Sequence, residues 1–319
     1  MRNLGPTGTG ADTQGGSELL RDLQLALSKP PHAISPKYFY DAQGSRLFDR
    51  ICDLPEYYPT RTEWGILSEH AAEIAEVTGP GTELIEFGAG SLSKVRLLLN
   101  DMRPRRYLPV DISVDHLHRA AASLRAEFPW LEVAPVAGDY TGSIDLPPVA
   151  WGARRIGFFP GSTIGNFTPS EALEFLRRAA QMLRGGGLLI GADLLKDPSV
   201  LDAAYNDAKG VTADFNKNLL ARANRELGAD FELSEWWHSA FFNPAHSRVE
   251  MHLISRRDQR VHLGGITFEV AEGFSLHTEN SYKFSIEGLR GLAAIAGFRP
   301  HTVWTDDRKL FSVHWLIAP

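Results

Sequence analysis

Glu83-Leu84-Ile85-Glu86-Phe87-Gly88-Ala89-Gly90-Ser91-Leu92-Ser93-Lys94 decides the fold of this chain. Apolar residues at 84, 85 and 87 predict a short buried strand, which Gly88 and Gly90 then break. Lys94-Val95-Arg96-Leu97-Leu98-Leu99 resumes with helix formers. Strand, glycine turn and helix open the crossover of an α/β fold, where the strand's carboxyl end faces a ligand crevice. Neither glycine carries a Cβ, so the backbone can approach a ligand closely. The next predicted strand, Arg106-Tyr107-Leu108-Pro109-Val110, ends in Asp111. An acid about 20 residues beyond the turn is placed to hold ribose hydroxyls. These features mark a nucleoside-cofactor site.

A dinucleotide fingerprint needs a third glycine to seat pyrophosphate at the helix N-terminus. Here Ser91-Leu92-Ser93 follows Gly90, and Glu86 stands two residues before Gly88. An acid beside the turn repels phosphate and suits a cationic ligand. The pattern resembles the first motif of S-adenosylmethionine-dependent methyltransferases, with an NAD-linked dehydrogenase as the less favoured alternative.

The 319 residues, 43% of them hydrophobic, suffice for two modest domains or one large one. A net charge of −6 without a basic run argues against a nucleic-acid substrate. The single cysteine, Cys52, excludes an internal disulfide and a cysteine-rich zinc site and fits a reducing cytoplasm. No apolar run reaches the roughly 20 residues of a membrane span, and no secretory h-region stands at the N-terminus. His238, His246, His252 and His262 lack the short paired spacing of zinc ligands, so no metal is expected. Ser162 has no nucleophile elbow around it, which leaves hydrolase chemistry unsupported.

Residues 1–16, Gly- and Thr-rich, read as a mobile tail. Helical patterns follow at Leu19-Leu20-Leu23-Leu27 and, after Gly44, at Leu47-Phe48-Ile51. Pro55 and Pro59 bracket Tyr57-Tyr58, whose rings are either core plugs or ligand contacts. Thr62-Glu63 is expected to open a helix that Gly79-Pro80-Gly81 closes. Strands at 83–87, 106–110, 131–136, 154–159 and 187–191 then alternate with helices, which predicts a parallel doubly wound sheet. Asp139, at the end of the third strand, either caps a turn or faces an adenine ring. The loop 160–167 is pinned by the capping box Thr168-Pro169-Ser170-Glu171, and its Asn166 either closes an Asx turn or faces the reactive group. From Asp197-Pro198 the alternation stops. Residues 199–226 read as helical, with Tyr205 in the first helix; strands are expected over 236–242, 248–254 and 265–270, and an extended segment through His277–Phe284. A helix over 286–295 and strands 301–304 and 311–317 return the chain to the sheet.

Several stretches together resemble one family, the histidine-specific N-alpha-methyltransferases of ergothioneine biosynthesis. They are Lys37-Tyr38-Phe39-Tyr40-Asp41, Leu54–Glu63, Gly161–Pro169, Ala204-Tyr205-Asn206-Asp207, Val249-Glu250-Met251 and Glu279-Asn280-Ser281-Tyr282-Lys283-Phe284. The resemblance covers all but the tail. It implies a Rossmann-like methyltransferase sheet, α/β, mostly parallel and seven-stranded, with a second α+β substrate-binding lobe. Residues 63–197 plus 285–319 are then the S-adenosylmethionine-binding domain, and 17–62 plus 198–284 the substrate lobe. The implied cofactor residues are Gly88, Lys94, Asp111, Asp139 and Tyr140. Tyr57, Asn166, Tyr205, Glu279 and Ser281 are the implied histidine contacts, and Tyr40, Phe48, Gly161 and Met251 line the family's pocket. The implied activity is trimethylation of the α-amine of free L-histidine to hercynine, by a cytoplasmic enzyme expected to be a monomer. Methylation of another free amino acid, or a nucleotide-fold binding protein without catalysis, are the alternatives.

Overall fold

A computed structural model describes residues 10–142 and 144–319. Helix α1 (Gly10–Ser28) includes residues 10–16, which composition assigned to a tail; extending an existing helix costs far less than nucleating one. The remainder of that expected tail, 1–9, lies outside the described residues. The chain continues through α2 (Ala42–Cys52), α3 (Tyr58–Glu69) and α4 (Ala71–Thr78). α3 starts four residues earlier than Thr62 because Pro59 occupies its first turn, where proline's missing N–H costs nothing. No glycine or proline marks the break between α3 and α4 at His70.

The sheet then builds from β1 (Glu83–Phe87), α5 (Arg96–Met102), β2 (Arg106–Asp111), α6 (Val114–Glu127), β3 (Glu132–Val133), β4 (Val136–Ala137), β5 (Arg155–Phe159), α7 (Pro169–Met182) and β6 (Gly187–Asp193). Pro135 has no N–H to donate to the ladder, and the third strand falls into the two short pieces β3 and β4, both paired with β2. Next come α8 (Pro198–Tyr205), α9 (Val211–Leu227), β7 (Trp236–Asn243), β8 (Arg248–Ser255), β9 (Gln259–Leu263), β10 (Ile266–Val270), β11 (Ser275–Tyr282), α10 (Ile286–Ile295), β12 (Arg299–Thr305) and β13 (Phe311–Ile317). The helical stretch expected over 199–226 is two helices with Tyr205 ending the first, and the Asp207 carboxylate, which accepts from Val211 N (2.9 Å) and Thr212 N (2.8 Å), starts α9. β9 was not foreseen. Gly264 and Gly265, at φ +58° and +80°, make the tight turn that pairs it with β10.

The large sheet runs β12-β13-β6-β5-β1-β2-β3, with β4 also on β2. Pairs among β1, β2, β5 and β6 are parallel, whereas β13 lies antiparallel to both β6 and β12. The expected fold class is therefore the observed one. Leu84, Tyr107, Ile156, Leu189 and Val313 pack on one face against α3–α6. Ile85, Leu108, Phe159, Ile190 and Leu316 pack on the other against α7 and α10.

Two compact units emerge. Among the described residues, the first comprises 10–53, 205–241 and 250–279, the second 54–204, 242–249 and 280–319. The sheet lies in the second unit, and so do residues 54–62, 198–204, 242–249 and 280–284, which the sequence grouped with the substrate lobe. Gly187, in β6, has no room for a side chain: a Cβ would stand 2.4 Å from both the Leu316 carbonyl oxygen and the Trp315 ring. Gly187→Ala should cost at least the about 1–3 kcal/mol of an overpacked core, read from urea unfolding.

Candidate active site

Gly88, at φ +69°, ends β1 with its N–H on the Val110 carbonyl at 2.9 Å. A Cβ there would lie 3.2 Å from the Tyr140 ring, so the tyrosine covers the turn from one side. Gly90 donates its N–H to Asp111 Oδ2 at 3.0 Å, and Oδ1 accepts from Ser113 N at 2.8 Å. Those bonds orient the Asp111 carboxylate and leave acceptor capacity on it. Beyond Gly90 the space is open, with no atom within 4 Å of the position a Cβ would take. Asp139 is exposed, and its Oδ1 closes an Asx turn on Thr141 N and Oγ1 at 2.8 and 2.6 Å. Burial, followed by the Asp111 and Asp139 carboxylates, holds the Tyr140 phenol above its ordinary value, so it stays a neutral donor.

Glu63, on α3 and 0% exposed, is central to the next group. Lys94 Nζ lies 2.5 Å from its Oε2, and the Gly161 N–H reaches both carboxylate oxygens at 2.9 Å. Helix α3, the glycine turn and the loop after β5 are thereby tied at one carboxylate. Glu86 is equally buried and accepts from the Tyr107 hydroxyl. Burial pushes its carboxyl up to about 8; the Tyr107 bond and Lys94 oppose this, and Glu63 and Asp111 add to it. The acid before the turn is thus inside the sheet layer and mostly protonated at neutral pH. The sequence argument that it repels phosphate and attracts a cation does not hold.

The loop after β5 is held under strain. Gly161 has φ +80° and Ser162, a residue with a Cβ, φ +57°. Ser162 Oγ accepts from Asp193 N at 2.9 Å. Asn166 closes a single turn over 163–166, and a Cβ on Gly165 would fall 2.7 Å from the Tyr282 carbonyl oxygen. The loop therefore lies directly against the end of β11, where Ser281 is buried. Tyr57 is half-buried before α3. Its neighbour Tyr58 donates to Asp193, at 2.8 and 2.7 Å from the two carboxylate oxygens.

Five predicted site residues belong to the first unit: Tyr40, Phe48, Tyr205, Met251 and Glu279. Tyr40 and Phe48 meet edge-on at 5.7 Å, and both contact Phe215 of α9. A buried network fixes the others. Thr278 donates to the Met251 carbonyl (3.0 Å) and to Asn216 Oδ1 (2.7 Å). Asn216 Nδ2 bonds His238 Nδ1 at 2.9 Å, which leaves His238 Nε2–H to donate to the Tyr205 carbonyl at 2.9 Å. Burial lowers the His238 pKa and keeps the ring neutral, as this tautomer requires. Glu279 follows Thr278 on β11 and is half-buried.

Glu250, His252 and His277 bring ligand-type atoms within 4.8 Å of one another, a grouping that spacing along the chain could not reveal because it joins β8 and β11. The two imidazoles stack at 4.5 Å and 13°.

The profile of the family described as "Histidine-specific methyltransferase, SAM-dependent" matches residues 19–318. The histidine N-alpha-methyltransferase of Mycolicibacterium smegmatis is 45% identical over 92% of this chain and 93% of its own length. That of Mycobacterium tuberculosis is 41% identical over the same shares. Ergothioneine biosynthesis protein 1 of Neurospora crassa is 30% identical over 90% of this chain and 33% of its own length. The chain belongs to this methyltransferase family. In this methyltransferase the donor set fits S-adenosylmethionine: two carboxylates stand at the ends of neighbouring strands, beside an open glycine turn without a pyrophosphate seat. Among the described residues no helix is long and apolar enough to cross a membrane.

Sequence reasoning missed Glu63, Tyr107, Asp193 and Lys196, whose significance comes only from their partners. Glu86 provides a measurable consequence. A carboxyl raised from 4.5 to about 8 on folding contributes stability that is fully present below about pH 4.5 and lost as pH rises through about 8. Glu86→Gln cannot titrate. Thermal unfolding followed from about pH 5 to about pH 9 should show the wild type losing stability relative to the variant.

Proposed function

We propose that this chain transfers three methyl groups from S-adenosylmethionine to the α-amine of free L-histidine, giving hercynine for ergothioneine biosynthesis. The observation that carries this is family membership over residues 19–318, supported by relatives of that name spanning 92% of the chain. Gly88, Lys94, Asp111, Asp139 and Tyr140 would hold the methyl donor, Asp111 on the ribose hydroxyls and Asp139 on the adenine side. When bound, S-adenosylmethionine supplies an electrophilic methyl on a sulfonium. The chain's own contribution is alignment, because an in-line displacement requires the amine lone pair on the methyl axis.

Asn166 and Tyr205 are assigned to the α-carboxylate. Glu279 accepts from one imidazole N–H, and Ser281 bonds the other ring nitrogen. Tyr57, Tyr40 and Phe48 offer aromatic faces to the growing methylammonium, while Gly161 and Met251 shape the pocket wall. A partly desolvated amine favours its neutral, nucleophilic form. The quaternary nitrogen has no lone pair, so transfer stops after the third methyl. The single cysteine fits a reducing compartment, so the cytoplasm is the proposed location, and a monomer is the proposed state.

Incubation of a mixture of L-amino acids with the enzyme and labelled S-adenosylmethionine should yield trimethylated histidine by mass spectrometry. Dimethylhistidine as final product, or preference for another amino acid, would overturn the assignment. Asp111→Ala should weaken S-adenosylmethionine binding by about 1–3 kcal/mol in calorimetry, the value typical of a charged hydrogen bond. Glu279→Ala should lower kcat/KM for histidine far more than cofactor affinity, because an unpaired imidazole N–H is penalised in a site built to receive it. Full retention of kcat/KM would refute the imidazole role.

A further inference from the structure

Asn216 of α9 and Thr278 of β11 are buried side chains of the first unit, each 0% exposed. Asn216 Nδ2 donates to the His252 carbonyl on β8 at 3.0 Å. This bond fixes which way the amide points, because a flipped amide would set its oxygen against that carbonyl. Asn216 Oδ1 then takes the Thr278 hydroxyl at 2.7 Å, and the second N–H of the amide is left for His238 Nδ1 at 2.9 Å. A neutral ring that accepts at Nδ1 carries its proton at Nε2, and there the Tyr205 carbonyl stands 2.9 Å away. The polarity of the whole chain thus follows from one backbone carbonyl. His238 can tie the end of α8 to α9 only in this tautomer, since an imidazolium would turn a second N–H onto the Asn216 amide. Burial lowers the His238 pKa and keeps the ring in the form that the chain requires.

We infer that His238 is a positioning residue for substrate binding, one that fixes the backbone of Tyr205 relative to the strands carrying Met251 and Glu279. This rests on the assignment of Tyr205 to the α-carboxylate and of Glu279 to the imidazole. Those contacts grip the two ends of one small substrate, so the spacing between them decides how well histidine fits. Thr278 precedes Glu279 on β11 and also reaches the Met251 carbonyl at 3.0 Å, so the chain from Thr278 through Asn216 to His238 spans that spacing with fixed hydrogen bonds. Asn206 Nδ2 on the Ala240 carbonyl, at 3.1 Å, is a second tie from the end of α8 to β7. Tyr205 has further partners, so loss of the His238 bond loosens the residue without releasing it, and the effect on binding is graded.

The test compares the full-length wild type with His238→Phe, His238→Asn and His238→Gln. Each is measured for histidine kcat and KM, S-adenosylmethionine affinity and thermal unfolding. Asparagine ends where Nδ1 stands and can meet only Asn216, whereas glutamine ends where Nε2 stands and can donate to the Tyr205 carbonyl. His238→Phe and His238→Asn should raise KM for histidine about tenfold, as expected when a buried polar group is left unpaired, with little change in kcat or cofactor affinity. His238→Gln should return KM to within about threefold of wild type. In a Tyr205→Phe background, which lacks the hydroxyl assigned to the substrate, His238→Phe should change KM by less than about threefold. Equal KM in the Asn and Gln variants, additivity with Tyr205→Phe, or an equal loss of cofactor affinity would overturn the role of His238. Should His238→Phe be too unstable to assay, His238→Asn takes its place in the cycle. In NMR of 15N-labelled enzyme at about pH 7, the imidazole signal that His238→Gln removes should be that of a neutral ring protonated at Nε2. A ring protonated at Nδ1, or at both nitrogens, would break the chain and the inference with it. A wild type that does not methylate histidine would strike the functional assignment itself. With wild-type turnover intact, the adverse outcomes strike only His238.

Discussion

The Asp193 carboxylate is the interaction on which the ordered carboxyl edge of the second unit depends. It ends the strand between β5 and β13, and it gathers Tyr58 from α3, Lys196 from the following turn and Lys283 from the end of β11. Its backbone N–H holds the strained Ser162 loop as well. A buried ion pair is weak as a source of net stability, because the Coulombic gain is offset by desolvation. Its value here is geometric. Removing the Asp193 carboxylate would leave both ammonium groups without compensation, so the segments that carry them are held to a single arrangement.

Strand, turn and helix boundaries in the α/β part were legible wherever a local cause acts alone. The buried run 83–87, the Thr168-to-Glu171 capping box and the alternation through β6 need no distant partner, and each element formed where its pattern placed it. The failures share one origin. The break at His70 and the pairing of β9 depend on a neighbour's position or on a single turn between elements. Gly264-Gly265 could have revealed the hairpin, since adjacent glycines favour the turn that joins two such strands.

Residues expected to face a ligand stand out in the sequence, whereas the residues that hold them do not. Asp111 stands out because an acid ends the second strand, and Asn166 because it sits in a loop pinned by a capped helix. Glu63 has no such mark, being a glutamate in the middle of an amphipathic helix, a place usually read as solvent-exposed. Only the fold brings Lys94 and the Gly161 N–H to it. Glu86 shows the opposite error: its position beside the turn suggested a charge facing the crevice, yet its carboxyl lies inside on Tyr107.

Glu86 and Lys196 follow one physical rule from opposite sides. Each is the third ionisable side chain added to a buried pair, Glu86 beside Glu63–Lys94 and Lys196 beside Asp193–Lys283. Once a pair has matched its charges, a further charge gains less than its desolvation costs, and the group moves toward neutrality. Burial pushes the Glu86 carboxyl up and the Lys196 ammonium down, both to about 8, with the Lys283 charge adding to the fall at Lys196. The signs of their linkage differ. Glu86 loses its contribution as pH rises toward 8, and the penalty of a charged Lys196 is relieved only above it, toward its unfolded value of 10.5. These two contributions together are least favourable to the fold near pH 8. The same pairings that fix Lys94 and Lys283 in place therefore also set where the buried edge responds to pH.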